Sequence, residues 1–136
     1  SFKTQVLQGT HNFTASSGDT FKIALYTNSS SLAAATATYG DGTATNEVSG
    51  SGYSAGGNTL TSVTPVADGT TAVCDFADTS WTSATITAYG ALIYNSSESN
   101  KSVCVLNFGG DKTCTSGTFT IQFPTADASN AILRLA

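Results

Sequence analysis

Charge is the scarcest feature of this 136-residue chain: 10% of its residues are Asp, Glu, Lys or Arg, against about 25% in an average soluble domain. Five basic residues in all leave no Lys/Arg stripe to neutralise a phosphate backbone, so nucleic-acid binding is excluded as the main role. Histidine occurs once, as His11, and a Ser or Cys nucleophile needs a base and an orienting acid around it; no GxSxG elbow accompanies it. With one histidine and no CxxC pair, a zinc site lacks its usual ligands. No apolar run approaches the 18 or more residues that span a bilayer, and the first residues lack the basic stretch and apolar run of a signal peptide. Methionine is absent, which fits loss of an initiator Met before Ser1 and leads us to expect synthesis in a cytosol.

What is present is hydroxyl and glycine. Ser and Thr make up close to a third of the chain, with 13 Gly. Exposed charge is the usual guard of β-proteins against edge-to-edge association, so a neutral, hydroxyl-coated surface suits a subunit covered by neighbours. The length fits one domain, residues 1–136, and buries roughly 68–70% of its unfolded surface without staples. No linker divides the chain, and no fixed-period repeat points to a solenoid.

Apolar residues cluster with period two between Gly, Asn, Asp and Ser. Phe21, Ile23 and Leu25 define one strand; Leu60, Val63 and Val66 define another, expected to stop near Pro65 because proline donates nothing to a ladder. Ala72 to Phe76 follows the turn pair Asp68-Gly69, and Ala84 to Tyr94 is the longest β-prone run, with a bend or bulge expected at Gly90. Val103 to Phe108 and Thr118 to Phe123 read as a hairpin about Gly109-Gly110-Asp111-Lys112, and Ala131 to Leu135 as a short last strand. Helix is confined to Phe2–Gln8, where Phe2, Val6 and Leu7 share a face, and to Leu32–Ala37. The expected fold is all-β: a β-sandwich, jelly-roll or immunoglobulin-like, of about seven to eight strands.

Several residues could carry chemistry and have plainer readings beside them. His11 reads as a packing or surface residue. Asp75 with Asp78, or Glu47 with either, are acids near aromatic residues, as a glycosidase site requires, but Asp at strand ends normally makes local turns. Asp41-Gly42, Asp68-Gly69 and Gly110-Asp111 look like turn corners rather than a calcium loop. Asn12, Asn28, Asn95 and Asn100 begin N-x-Ser/Thr sequons, expected by chance in so Ser/Thr-rich a chain. The stretch Glu47–Gly57 lacks the Lys and helix of a phosphate-binding loop and reads as a connection between sheets, anchored by Tyr53. Trp81 and the tyrosines offer a carbohydrate-stacking face or, more simply, core. Cys74, Cys104 and Cys114 read as free, buried thiols, with a Cys104–Cys114 pairing across the expected hairpin as the alternative. No enzyme activity and no cofactor or metal is expected.

The segments Phe2-Lys3 through Gly9-Thr10-His11-Asn12-Phe13, Thr20 to Thr27, Glu47 to Tyr53, Gly90 to Asn95 and Phe123-Pro124 to Arg134 together resemble short virion proteins of tailed bacteriophages, over almost the whole chain. The resemblance implies a structural protein of the virion, made in the bacterial host cytoplasm. Its role there would be that of a capsid cement or decoration protein bridging major capsid subunits, with a tail or neck component as the alternative. The partners implied are the major capsid protein or other virion subunits, with several copies associating on the particle and neither nucleic acid nor membrane involved. Phe2, Val6, Leu7, Phe13, Ile132, Leu133 and Leu135 carry the apolar surface of the two terminal segments and are the expected inter-subunit contacts; the alternative is that they close the domain's own core. A carbohydrate-binding module for host attachment, resting on Trp81 and the tyrosines, is the rival from another class.

Overall fold

A computed structural model of the chain describes residues 2–136. One short helix, α1 (Phe2–Leu7), precedes seven strands: β1 (Phe21–Tyr26), β2 (Asn58–Thr59), β3 (Ser62–Asp68), β4 (Thr71–Phe76), β5 (Thr79–Asn95), β6 (Lys101–Ile121) and β7 (Leu133–Leu135). They form two antiparallel sheets, β2-β1-β5-β6 and β3-β4-β7, the two-layer all-β sandwich that period-two patterning predicts. The core lies between them. Phe21, Ile23, Leu25, Ile86, Ile93 and Val103 of the larger sheet meet Phe76 of the smaller, and Phe13, Phe21, Phe76 and Phe123 form a chain of ring contacts with centroids 4.4–6.3 Å apart.

β5 changes character along its length. From Trp81 to Ala88 buried Trp81, Ala84, Ile86 and Ala88 alternate with exposed Thr and Ser, whereas Gly90–Asn95 is buried throughout. That continuous run marks a strand covered on both faces. The second cover is the segment 27–57, whose Leu32, Tyr39 and Ala44 pack on Ala24, Tyr26, Leu92 and Tyr94. Over the singly covered half, hydroxyls pair across the ladder, Thr87 with Thr113 at 2.9 Å and Ser80 with Thr120 at 2.8 Å.

The structure corrects several expectations. Gly109-Gly110-Asp111-Lys112 is not a hairpin turn: β6 continues along one partner, with Lys112 opposite Ala88 and Asn107 opposite Gly90. Phe108–Asp111 is thereby left as a bulge facing Tyr89. Gly109, at φ 75°, with its amide donating to Asn107 Oδ1 at 2.8 Å, makes the local left-handed excursion of a turn. Long β5 nevertheless offers ladder positions on both sides and keeps the strand in line. Cys104 and Cys114 therefore sit opposite Ile93 and Ile86 rather than each other, and all three cysteines are free. β3 passes Pro65 to reach Asp68, because a register shift between Val63 and Val66 puts the proline where no ladder bond is lost. Leu32–Ala37 is not helical; Thr36 instead folds back, its backbone N–H donating to the Ala33 carbonyl and its Oγ1 accepting from the Ala33 N–H. The bulge expected near Gly90 is present: a Cβ there would lie 2.5 Å from the Leu106 carbonyl oxygen.

Candidate functional site

The densest polar cluster is built on the outer face of the larger sheet, where 27–57 lies over β1 and β5. Glu47 is placed by backbone pairing: it bridges to Tyr26, and the Val48 amide donates to the Leu25 carbonyl at 2.9 Å. Its carboxylate accepts three hydrogen bonds, from Tyr39 Oη at 2.9 Å, Tyr53 Oη at 2.7 Å and the Gly56 amide at 2.7 Å. Tyr53 Oη in turn accepts from the Leu25 amide at 2.9 Å, and Tyr94 Oη donates to the Gly56 carbonyl at 2.8 Å. Tyr39 stacks on Tyr94 with centroids 4.6 Å apart. The Tyr26 hydroxyl, nearby, has no hydrogen-bond partner among the described residues.

Burial disfavours the phenolate, and the Glu47 charge disfavours it further. Tyr39 and Tyr94 are pushed up to about 12, and Tyr26 and Tyr53 are raised by the same causes, burial first. Four neutral phenols around one carboxylate hold protons tightly and offer no base or nucleophile poised near neutrality. The cluster is a clamp. It also corrects the reading of Glu47–Gly57 as a connection between sheets, because the segment returns to the sheet it left, through β2. Its glycines permit close passage: a Cβ on Gly57, at φ 68°, would sit 1.8 Å from the Ile23 carbonyl oxygen.

Of the other candidate acids, Asp75 keeps one buried carboxylate oxygen without a hydrogen-bond partner among the described residues, whereas Asp78 is occupied. Asp78 accepts the Phe123 amide at 2.8 Å, and the polar partners of Glu47 are two phenols and an amide, so no carboxylate pair forms around it. His11 is buried: its ring nitrogens meet Gln5 Oε1 and Asn95 Nδ2, each at 3.0 Å, and Asn95 continues to Asp19 at 2.8 Å. Burial lowers its pKa, an effect that Asp19 opposes. The Gln5–His11–Asn95–Asp19 chain pins α1 and the segment after it to the end of β5. Among the described residues no cluster of His, Cys, Asp and Glu could hold a metal ion.

Trp81 and Tyr94 are buried, as is Tyr26 at 1% exposure, so these rings cannot present a flat sugar-stacking face. Of the seven terminal-segment residues, Phe2, Phe13, Ile132 and Leu133 pack against the domain's own core and Val6 is half-buried; Leu7 and Leu135 stand out at 87% and 61% exposure. Sequence reasoning missed the tyrosine–glutamate clamp. Its members lie 13 to 68 residues from Tyr26 along the chain, and the one legible sign was a lone Glu beside tyrosines in a stretch almost free of charge. No protein family, curated protein or solved structure matches the chain.

Proposed function

We propose that this chain is a structural subunit of a bacteriophage particle, a cement or decoration protein on the outside of the capsid that bridges neighbouring major capsid subunits. The observation that carries the reading is that three of its candidate chemical groups, Glu47, His11 and Asp78, are used up internally. Glu47 clamps 27–57 to the sheet, His11 pins α1, and Asp78 holds the strand exit at Phe123. What faces outward is hydroxyl-rich β-surface with four large exposed apolar side chains, Leu7, Val63, Val66 and Leu135. A cement protein works by burying such surface against two or more shell subunits, which stabilises the closed shell by mass action on the assembled state; contacts of about 1,200–2,000 Å² suffice. The resemblance to short phage virion proteins points the same way.

Quantitative mass spectrometry of purified particles tests it. Copies in fixed, high ratio to the major capsid protein are expected; a few copies per particle move the chain to the tail or neck, and none overturns the proposal.

A further inference from the structure

The two sheets have four outer edges, and three are blunted by devices that keep β-proteins from pairing with each other. β2 has two residues and β7 three. β3 carries Pro65, a bulge beside it and Asp68 at its end. β6 is different. The segment 37–39 covers only its first residues, through the Thr38–Lys101 bridge and the Ser102 amide to the Ala37 carbonyl. From Cys104 to Ile121 its free side pairs with nothing among the described residues. That stretch has no proline and one charge of each sign, Asp111 and Lys112, so a second copy meets no net repulsion. Beside it lies an apolar groove of about 550 Å³, lined by Leu106, Phe108, Phe119, Ile121, Phe123 and Ile132 among others.

We infer that the free edge of β6 is the surface through which two copies of this chain pair, antiparallel across a two-fold axis, joining their four-stranded sheets into one. The strand's irregularities set the register. Bulges at Phe108–Asp111 and at Thr115–Ser116 leave three stretches in register with β5, Cys104–Asn107, Lys112–Cys114 and Gly117–Ile121, the outer two placed about evenly on either side of the middle one. A two-fold axis at Thr113, the centre of the middle stretch, pairs that stretch with its own image, lays each outer stretch against the other outer stretch of the second copy and sets bulge against bulge; Lys112 then faces the second copy's Cys114 and not its Lys112. Isologous pairing of this kind closes after two copies, so the edge does not propagate into a fibre. The area is adequate: roughly 50–60 Å of strand in a layer about 10 Å thick gives about 1,000–1,200 Å² for the pair, the lower bound of a specific interface. The inference rests on the proposed function only for the particle as the place where copies meet.

Sedimentation equilibrium on the purified chain is expected to give a species of twice 13.8 kDa that dissociates on dilution, with concentration-dependent amide-exchange protection confined to Cys104–Asn107, Lys112–Cys114 and Gly117–Ile121. Thr113→Lys, at an exposed position on the axis, sets like charges of the two copies side by side and should raise the dimer Kd at least about tenfold. A monomer at ~1 mM chain, or a dimer whose protection falls elsewhere, overturns the inference. If that variant fails to fold, the protection map of the unaltered chain still decides. A dimer in solution with no copies in particles would instead count against the proposed function alone.

Discussion

Glu47 shows how one side chain can organise the whole of the segment 27–57. Removing its carboxylate strands two phenols and an amide in partly dry surroundings, where leaving donors unpaired costs more than the bonds themselves contribute. Glu47→Ala is expected to lose about 2–4 kcal/mol and Glu47→Gln less, since an amide oxygen still accepts. Urea unfolding followed by the fluorescence of Trp81, the single tryptophan, whose ring lies 5.8 Å from that of Tyr53, reads this directly; a loss under ~0.5 kcal/mol for the alanine variant would mean the clamp is ornamental. Glycines sort by the same local logic. Gly57→Ala drives a Cβ into the Ile23 carbonyl and should cost ~3 kcal/mol or more, whereas Gly109→Ala, equally left-handed but with nothing within 4 Å, should cost about 1–2 kcal/mol. Thermal unfolding of both variants checks the contrast.

At the scale of elements, β5 and β6 form the spine, and protection should follow how each stretch is covered. Gly90–Asn95 lies between β1 and β6 and is buried on both faces, so its amides are expected to exchange slowest, near the global unfolding limit. β3, with its free edge and exposed side chains, should exchange fastest among the strands longer than three residues. Finding β3 protected as well as β5 would show that the smaller sheet opens only with the whole domain. The bulge at Phe108–Asp111 belongs to this scale too. Its composition is that of a turn, and only the length of the partner strand decides that it becomes a detour instead.

For the molecule as a whole, the buried His11–Asn95–Asp19 chain links stability to pH. Burial holds the His11 pKa below its ordinary 6.5, so the unfolded chain takes up the proton first. Its contribution is therefore complete above pH 6.5 and is lost as pH falls from there through the lowered folded value. Unfolding midpoints measured from pH 7.5 to 5 should decline in the unaltered chain and decline less in His11→Asn; equal slopes would place the titration elsewhere. At the alkaline end the raised phenol pKa values act in the opposite sense, their contribution persisting below about pH 10 and fading as pH climbs through the folded values.

The all-β class and most strand positions were legible in the sequence, because alternation is a local property: Phe21-Ile23-Leu25 and Ala84-Ile86-Ala88 carry their inward faces wherever they are placed. Composition likewise announced a surface with few charges. Three things were decided only by tertiary structure. Whether Gly109–Lys112 reverses the chain depended on how far β5 extends to receive it. Whether Pro65 ends a strand depended on a bulge opposite β4. The use of Glu47 and His11 as clamps depended on bringing Tyr39, Tyr53, Gln5 and Asn95 within about 3 Å of them. Such contacts arise from packing distant segments together, and neither residue type nor spacing along the chain encodes them by itself.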